Sequence, residues 1–382
     1  MHSVFGIINL LGFAIAFASL VYVLFAIRCL VAFKISGDRS AGELPPATLF
    51  KPVCGMDPGL LENLRAFCTQ DYPLYQIIFG AASQDDPAIA IIRQAMKEFP
   101  HLDISLVIES KVIGANLKVS NLANMYPLAR HDVLVISDSD MRPGENYLHN
   151  IVTPLLDKSV GAVTCLYQGI PATNSLASRL ACLFINEWFL PSVLVARAVR
   201  GITFCLGATM VIRRNVLEGI GGFERLASYL ADDYMLGKLV SDQGYKVVLS
   251  PYVVKNIIGA YSFKSLFMHE LRWARTVRNV QPGGYALSFV TYTIPLSLIY
   301  CVITPIKVLG ICMLITSIIV RLAMHGVARR KLQSAGPSVF WLLPLRDLMC
   351  IMVWVASFMG RNVSWRNNKF SLQSDGHMAL KE

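Results

Sequence analysis

Residues 133–144 read VLVISDSDMRPG, four aliphatic residues and a serine running straight into Asp138-Ser139-Asp140. A continuous apolar run marks a parallel strand covered on both faces, and in open α/β sheets ligands gather beyond the strand ends. Two acids at i and i+2 repel each other there unless a positive charge sits between them, and a divalent metal carrying phosphate would supply it. The same residues also suit a plain turn, since Asp and Ser favour turns and Arg142-Pro143-Gly144 completes one. Taken alone, the stretch leaves both readings open.

Composition narrows the class. Of 382 residues, 54% are hydrophobic and 16% charged, with a mean hydropathy of +0.50, so part of the surface is expected to face lipid. Val4 to Ile27 carries no charge over 24 residues, enough to span a hydrocarbon core of roughly 30 Å. A cleaved signal peptide would carry its positive charge ahead of a shorter apolar run. Here Arg28, Lys34 and Arg39 follow the run, which places the N-terminus outside and the next segment in the cytoplasm. Tyr285 to Ile319 is apolar, broken near Thr304-Pro305 and followed by Arg321, Arg329, Arg330 and Lys331, as two short spans with a tight external turn would be. Val339 to Met359 contains Pro344, Arg346 and Asp347, and a full span competes with a re-entrant or interfacial helix. The expected organisation is an anchor at 1–34, a cytosolic domain at 43–281 with an interfacial helix near 263–280, two spans at 285–323, a span or re-entrant helix at 339–360, and a tail at 361–382.

The nine cysteines are odd in number, show no close pairing and mostly sit in apolar stretches, so neither zinc nor a disulfide framework is expected. Clusters of the +10 net charge lie near membrane boundaries, where anionic headgroups are a simpler partner than nucleic acid.

After the linker GDRSAGELPP, short strands alternate with helical stretches: ATLFKPV, a helix at Leu60 to Cys68, YQIIFGAA, a helix around Asp86 to Phe99, DISLVIES and DVLVISDSD. That alternation predicts an α/β domain with a mostly parallel sheet. Acids recur in it, at Asp85-Asp86 after YQIIFGAAS, at Asp138 and Asp140, and at Asp232-Asp233 in YLADDYMLG, where a helix N-terminus would help keep them ionised. Singly, each suits an N-cap or turn as well as catalysis.

The ordered motifs DDPAI, LKVSNL, ISDSDMRP, SYLADDYMLG and HELRWART, spread over roughly residues 45 to 285, resemble those of membrane-anchored family-two glycosyltransferases and especially the ceramide glucosyltransferase group. They look most similar to its bacterial branch, the hopanoid-biosynthesis-associated glycosyltransferases. The resemblance implies a GT-A nucleotide-sugar fold in an inner-membrane, multi-pass protein with a cytosolic catalytic domain. It implies that Asp86 contacts uracil, that Asp138 lies near the ribose and diphosphate, and that Asp140 ligates Mg2+ or Mn2+. Asp233 would be the catalytic base, while Arg272 and Trp273 would hold the diphosphate and shape the acceptor entrance. His269 departs from the usual Gln or Arg at its position, and a titrating imidazole there would make diphosphate contact pH-dependent.

The chemistry asks for the same residue types, because sugar transfer passes through an oxocarbenium-like state while a nucleoside diphosphate leaves and a base takes the acceptor proton. Lys118 in GANLKVSNLANMY reads as a nucleotide-sugar contact or a solvated helix lysine. Gly207, beside Ala208, reads as a close backbone approach to a sugar or as tight strand packing. The apolar stretch 178–196 suits either a lipid-facing floor or ordinary core. Few spans favour single-sugar transfer over polymer export. The expected donor and acceptor are UDP-N-acetylglucosamine and a hopanoid polyol such as bacteriohopanetetrol, with UDP-glucose and ceramide as the alternative. An inactive membrane scaffold is the rival of another class, and it predicts an eroded acidic series, which this chain does not have.

Overall fold

The computed structural model describes residues 2–35, 43–259, 262–365, 368–373 and 376–380, so residues 37–42 of the linker, Arg39 among them, lie outside the described residues. The chain divides into two compact units, a sheet unit within 34–174, 201–260 and 365–382 and a helical unit within 1–33, 175–200 and 261–364.

The sheet unit holds β1 (Ala47–Pro52), β2 (Tyr75–Ala81), β3 (Asp103–Ile108), β4 (Val133–Ile136), β5 (Met141–Arg142), β6 (Val160–Pro171), β7 (Met210–Arg213) and β8 (Lys246–Ile258). Their order is β3-β2-β1-β4-β7-β6-β8-β5. β1 pairs in parallel with β2 and β4, β2 with β3, and β6 with β8, while β7 is antiparallel to β4 and β6, and β5 to β8. Every residue of β1, β2 and β4 is buried, as strands covered on both faces require. The first four strands are those the apolar runs predict, and the helices Leu60–Cys68 and Ala88–Glu98 fall where expected.

Because β1 and β4 are adjacent and parallel, their carboxyl ends open on one edge, where ligands of such sheets bind. A core of Phe50, Ile78, Val119, Leu134, Ile136 and Leu236, with others, seats helices Leu117–Met125 and Asp232–Asp242 on the sheet. The first of these helices begins at Asn116, whose side chain accepts the Val119 N–H at 3.1 Å. Part of the stretch expected as a tail has structure of its own: Asn368–Leu372 and Met378–Leu380 pair antiparallel, and Phe370, Leu372 and Met378 are buried.

Among the described residues of the helical unit, four helices are long and apolar enough to cross a bilayer: Phe5–Ala32, Leu176–Arg200, Lys307–Lys331 and Phe340–Ser357. A fifth candidate is the pair Pro282–Thr291 and Thr293–Ile303, bent by 67°. The break expected near Thr304-Pro305 separates Thr293–Ile303 from Lys307–Lys331. The domain expected to run unbroken over 43–281 is divided, because 175–200 and 261–281 group with the apolar helices rather than with the sheet. Leu176–Arg200 passes through one π-helical turn at Ile185–Phe189.

The charges inside the last apolar segment are paired within this unit. Asp347 accepts two bonds of 3.0 Å from Arg321, and Arg346 grips Glu270 at 2.7 and 2.6 Å. Charged groups in an apolar bundle turn inward and pair in this way rather than meet lipid.

Candidate active site

The acidic turn that follows β4 is held by its backbone. Lys51 Nζ donates to the Asp138 carbonyl, Asn63 Nδ2 to that of Ser139 at 3.3 Å, and the Ile257 N–H to that of Asp140 at 2.9 Å. Three successive carbonyls are thus claimed from β1, from helix Leu60–Cys68 and from β8, which leaves the two carboxylates fixed in direction. Asn256 Nδ2 donates to Asp140 Oδ2 at 2.8 Å, and Ser139 Oγ donates to Asp57.

Beside the turn, Lys118 Nζ lies 2.6 Å from Asp138 Oδ1 and 3.8 Å from Asp232 Oδ2. Gly207 sits at the centre of the group: its N–H donates to Asp233 Oδ2 at 2.7 Å. A Cβ at that position would lie 3.2 Å from Asp233 Oδ2, 3.5 Å from Asp138 Oδ2 and 3.6 Å from Lys118 Nζ. The backbone at Gly207 thus closely approaches the acidic cluster. Asp233 Oδ1 accepts the Tyr234 N–H at 2.7 Å, and Asn116 Nδ2 donates to Asp232 Oδ1 at 3.3 Å and to the Tyr229 carbonyl at 2.8 Å.

Five carboxylates, those of Asp57, Asp138, Asp140, Asp232 and Asp233, share this corner with the ammonium groups of Lys51 and Lys118. Burial, followed by Asp138 and Asp57, pushes Asp140 up to about 7. Asp233 is pushed up to about 6 by burial and by Asp232, with Lys118 opposing. Burial lowers the Lys51 ammonium to about 7 against the pull of Asp138, Asp140 and Asp57. For Lys118, burial also pulls downward, but Asp138, Asp232 and Asp233 outweigh it and hold the ammonium above its ordinary range.

Such a surplus of negative charge fits a divalent cation. Among the described residues no three His, Cys, Asp or Glu side chains form a cage for an ion on their own. Magnesium-type sites do not need one, because they take one or two carboxylates and complete the shell with water and substrate phosphate. The hard oxygen donors of Asp138 and Asp140 suit that role.

Asp86 is bound to the loop after β1: its two oxygens accept the Gly55 N–H at 3.0 and 2.9 Å, and Oδ1 also takes the Ala88 N–H at 2.9 Å. His269, Arg272 and Trp273 belong to helix Phe263–Val280 of the helical unit. There the His269 and Trp273 ring centroids are 4.6 Å apart. Burial and then Arg272 push His269 down to about 3, so the imidazole is neutral at physiological pH and the pH-dependent switch expected of it is not supported.

Lys51, Asp57, Asn63 and Asn256 escaped the sequence reading. Lys51 had a signal: it is the one charged residue in ATLFKP, every residue of which is buried, and its ammonium lies 3.7 Å above the Phe67 ring centre. The two asparagines had none, since only the fold brings them to the turn.

The sequence pattern of glycosyl transferase family 21 matches residues 11–378. Ceramide glucosyltransferase 1 of Caenorhabditis elegans is 24% identical over 352 residues, covering 88% of this chain and 73% of that protein. A ceramide glucosyltransferase of Komagataella phaffii is 31% identical over 111 residues, 27% of this chain and 22% of that one. Among solved structures, the mannosyltransferase of Pyrobaculum calidifontis in complex with GDP-Man and Mn2+ aligns with a TM-score of 0.56 at 18% identity, covering 93% of this chain and 99% of its own. The shared fold is the GT-A fold expected from the motifs, and with the family pattern spanning nearly the whole sequence, the chain belongs to glycosyl transferase family 21 and is a glycosyltransferase.

Proposed function

We propose that this enzyme moves one sugar from a UDP-sugar to a hydroxyl of a membrane lipid, inverting the anomeric centre, with Mg2+ or Mn2+ at the donor diphosphate. The observation that carries the reading is the group formed by Asp138, Lys118, Gly207 and Asp233, with Asp140 two residues along the same turn. A bound divalent ion would neutralise the leaving diphosphate, and Asp140, helped by Asp138, would hold it. Asp233, raised to about 6, is ionised at neutral pH yet basic enough to take the acceptor proton as that oxygen attacks from the face opposite the leaving group. Lys118 keeps Asp138 in place and adds positive charge at the donor. Gly207 keeps the floor low enough for a sugar to approach both acids. Asp86 is assigned to the uracil from the motif resemblance, as are Arg272 and Trp273 to the diphosphate and the acceptor entrance. His269, held neutral, would serve there by packing against Trp273.

The motif series favours UDP-N-acetylglucosamine and a hopanoid polyol such as bacteriohopanetetrol as the pair of substrates. A second reading, UDP-glucose and ceramide, is favoured by the names of the relatives, which are ceramide glucosyltransferases. In both, the apolar helices hold the enzyme in a bacterial inner membrane with the catalytic unit in the cytosol. The test crosses both donors with both lipids on detergent-purified protein with Mg2+ or Mn2+, read by mass spectrometry of the lipids. A hexosamine-hopanoid product supports the first reading and hexosyl-ceramide the second. No product from any of the four pairs would overturn both.

A further inference from the structure

Among the described residues Arg346 is the largest side chain that is almost wholly buried, and it stands in an otherwise apolar segment beside Asp347, whose charge is met by Arg321. It contacts two other helices of the helical unit. Its two terminal nitrogens grip Glu270, 3% exposed, at 2.7 and 2.6 Å. One of them also donates to the Leu180 carbonyl at 3.3 Å, and its guanidinium lies 5.2 Å from the Phe184 ring centre. The other face of that arrangement is Trp273, whose ring centre is 6.2 Å from Phe184, 6.4 Å from Phe189 and 4.6 Å from His269. Glu270 and Trp273 are i and i+3 on helix Phe263–Val280, so they are neighbours on one face. The path Arg346, Glu270, Trp273, Phe184 and back to Arg346 is closed.

A buried ion pair adds little net stability, because desolvation offsets the attraction, and its best-attested use is to fix one register against others. The register at stake is the rotation of the HELRWART helix. Each residue turns an α-helix by about 100°, so a one-residue slip would carry Arg272 to another face. The fork-to-carboxylate geometry at Glu270 admits a single rotation, since both oxygens are taken in parallel.

We infer that Arg346, through Glu270, is a positioning residue for Arg272 and Trp273, setting the rotation of their helix and with it the direction in which these two side chains leave it. This rests on the proposed role of Arg272 and Trp273. The test uses full-length protein in detergent and compares E270Q, R346M, the apolar pair E270L/R346L, R346K and R272A, each assayed for melting temperature, donor KM, kcat and UDP affinity. The single changes strand a buried partner and lower the melting temperature. The apolar pair is expected to melt near the parent, while kcat/KM for the donor stays at least about 30-fold lower with UDP binding weakened. Recovery of melting temperature and of kcat/KM to within about threefold would show the pair only holds the fold, and would overturn the inference. Should the apolar pair fail to fold, R346K decides: it keeps the charge but loses the fork, and is expected to lose about tenfold or more in kcat/KM with weaker UDP binding. Parental kinetics in R346K overturn the inference. R272A separates the two claims, since parental UDP affinity in that variant removes the functional role of Arg272 itself. Its loss beside a fully active apolar pair removes only the positioning role.

Discussion

Replacing Asp233 by Asn removes one negative charge and leaves the shape nearly unchanged, yet its expected effect has two separable parts. Both carboxylate oxygens now accept backbone N–H groups, Gly207 at Oδ2 and Tyr234 at Oδ1, each at 2.7 Å. An amide has one oxygen, so its NH2 must face one of those donors, a conflict of about 1–3 kcal/mol in stability. The second part is catalytic. Loss of a general base costs about 100- to 10,000-fold, or roughly 2.7–5.4 kcal/mol of transition-state stabilisation. The assay is transfer at saturating donor, corrected for folded protein by thermal melting, with UDP binding measured by calorimetry. Transfer is expected to fall by at least 100-fold while UDP binding stays close to the parent. The parent should also show an acid limb centred near pH 6, because the raised carboxyl must lose its proton to act, and the variant should lack it. A kcat within about threefold of the parent would refute the assignment of Asp233 as base.

Gly207→Ala needs no forbidden backbone angle, but its Cβ at 3.2 Å presses on Asp233 Oδ2, so normal melting with about tenfold or more slower transfer is expected, and unchanged kcat would count against the tight floor. Asp140→Ala should weaken metal-dependent donor binding, seen as a higher Mn2+ concentration for half-maximal UDP binding; an unchanged requirement would remove Asp140 as ligand. In chelator, the folded pKa values of Asp140, about 7, and Asp233, about 6, lie above the 3.8 of the free side chain. The folded state therefore binds more protons across the window from about pH 4 to 7, and these two groups make stability fall as pH rises through it. The metal-free protein should melt at a higher temperature at pH 5 than at pH 8, with the difference reduced in D140N/D233N; an equal slope in that variant would contradict this origin.

The sheet was legible wherever a strand's burial is written in its own residues. VLVI is apolar throughout and YQIIFGA is so but for Gln76, and β1 to β4 follow from such largely apolar runs. The later strands are less so, because β8 is interrupted by Ser250-Pro251 and carries Lys246, Lys255 and Asn256 among its apolar residues. The acids were visible as a series, since carboxylates at strand ends have few roles. Their supports were not visible: Asn256 reaches Asp140 across 116 positions, and no local pattern reports that contact. The same limit left the last apolar segment undecided, since Arg346 and Asp347 look unpaired until Glu270, 76 positions away, and Arg321, 26 away, are brought to them. The shift at His269 was not legible either, because a histidine's sequence neighbours do not reveal its surroundings in the fold.

The clamp on the acidic turn also dictates when that turn can exist. Lys51 and Asn63 precede it in the chain, but the third donor, Ile257, and the carboxylate partner, Asn256, arrive more than a hundred residues later. β5, which follows the turn directly, has β8 as its neighbour at the edge of the sheet. As the chain leaves the ribosome, the early strands have their partners to hand, while Asp140 waits for β8 to dock. The acidic turn is therefore among the last parts of the sheet unit to become ordered, and a chain halted before residue 256 holds the acidic series in sequence without holding it in space.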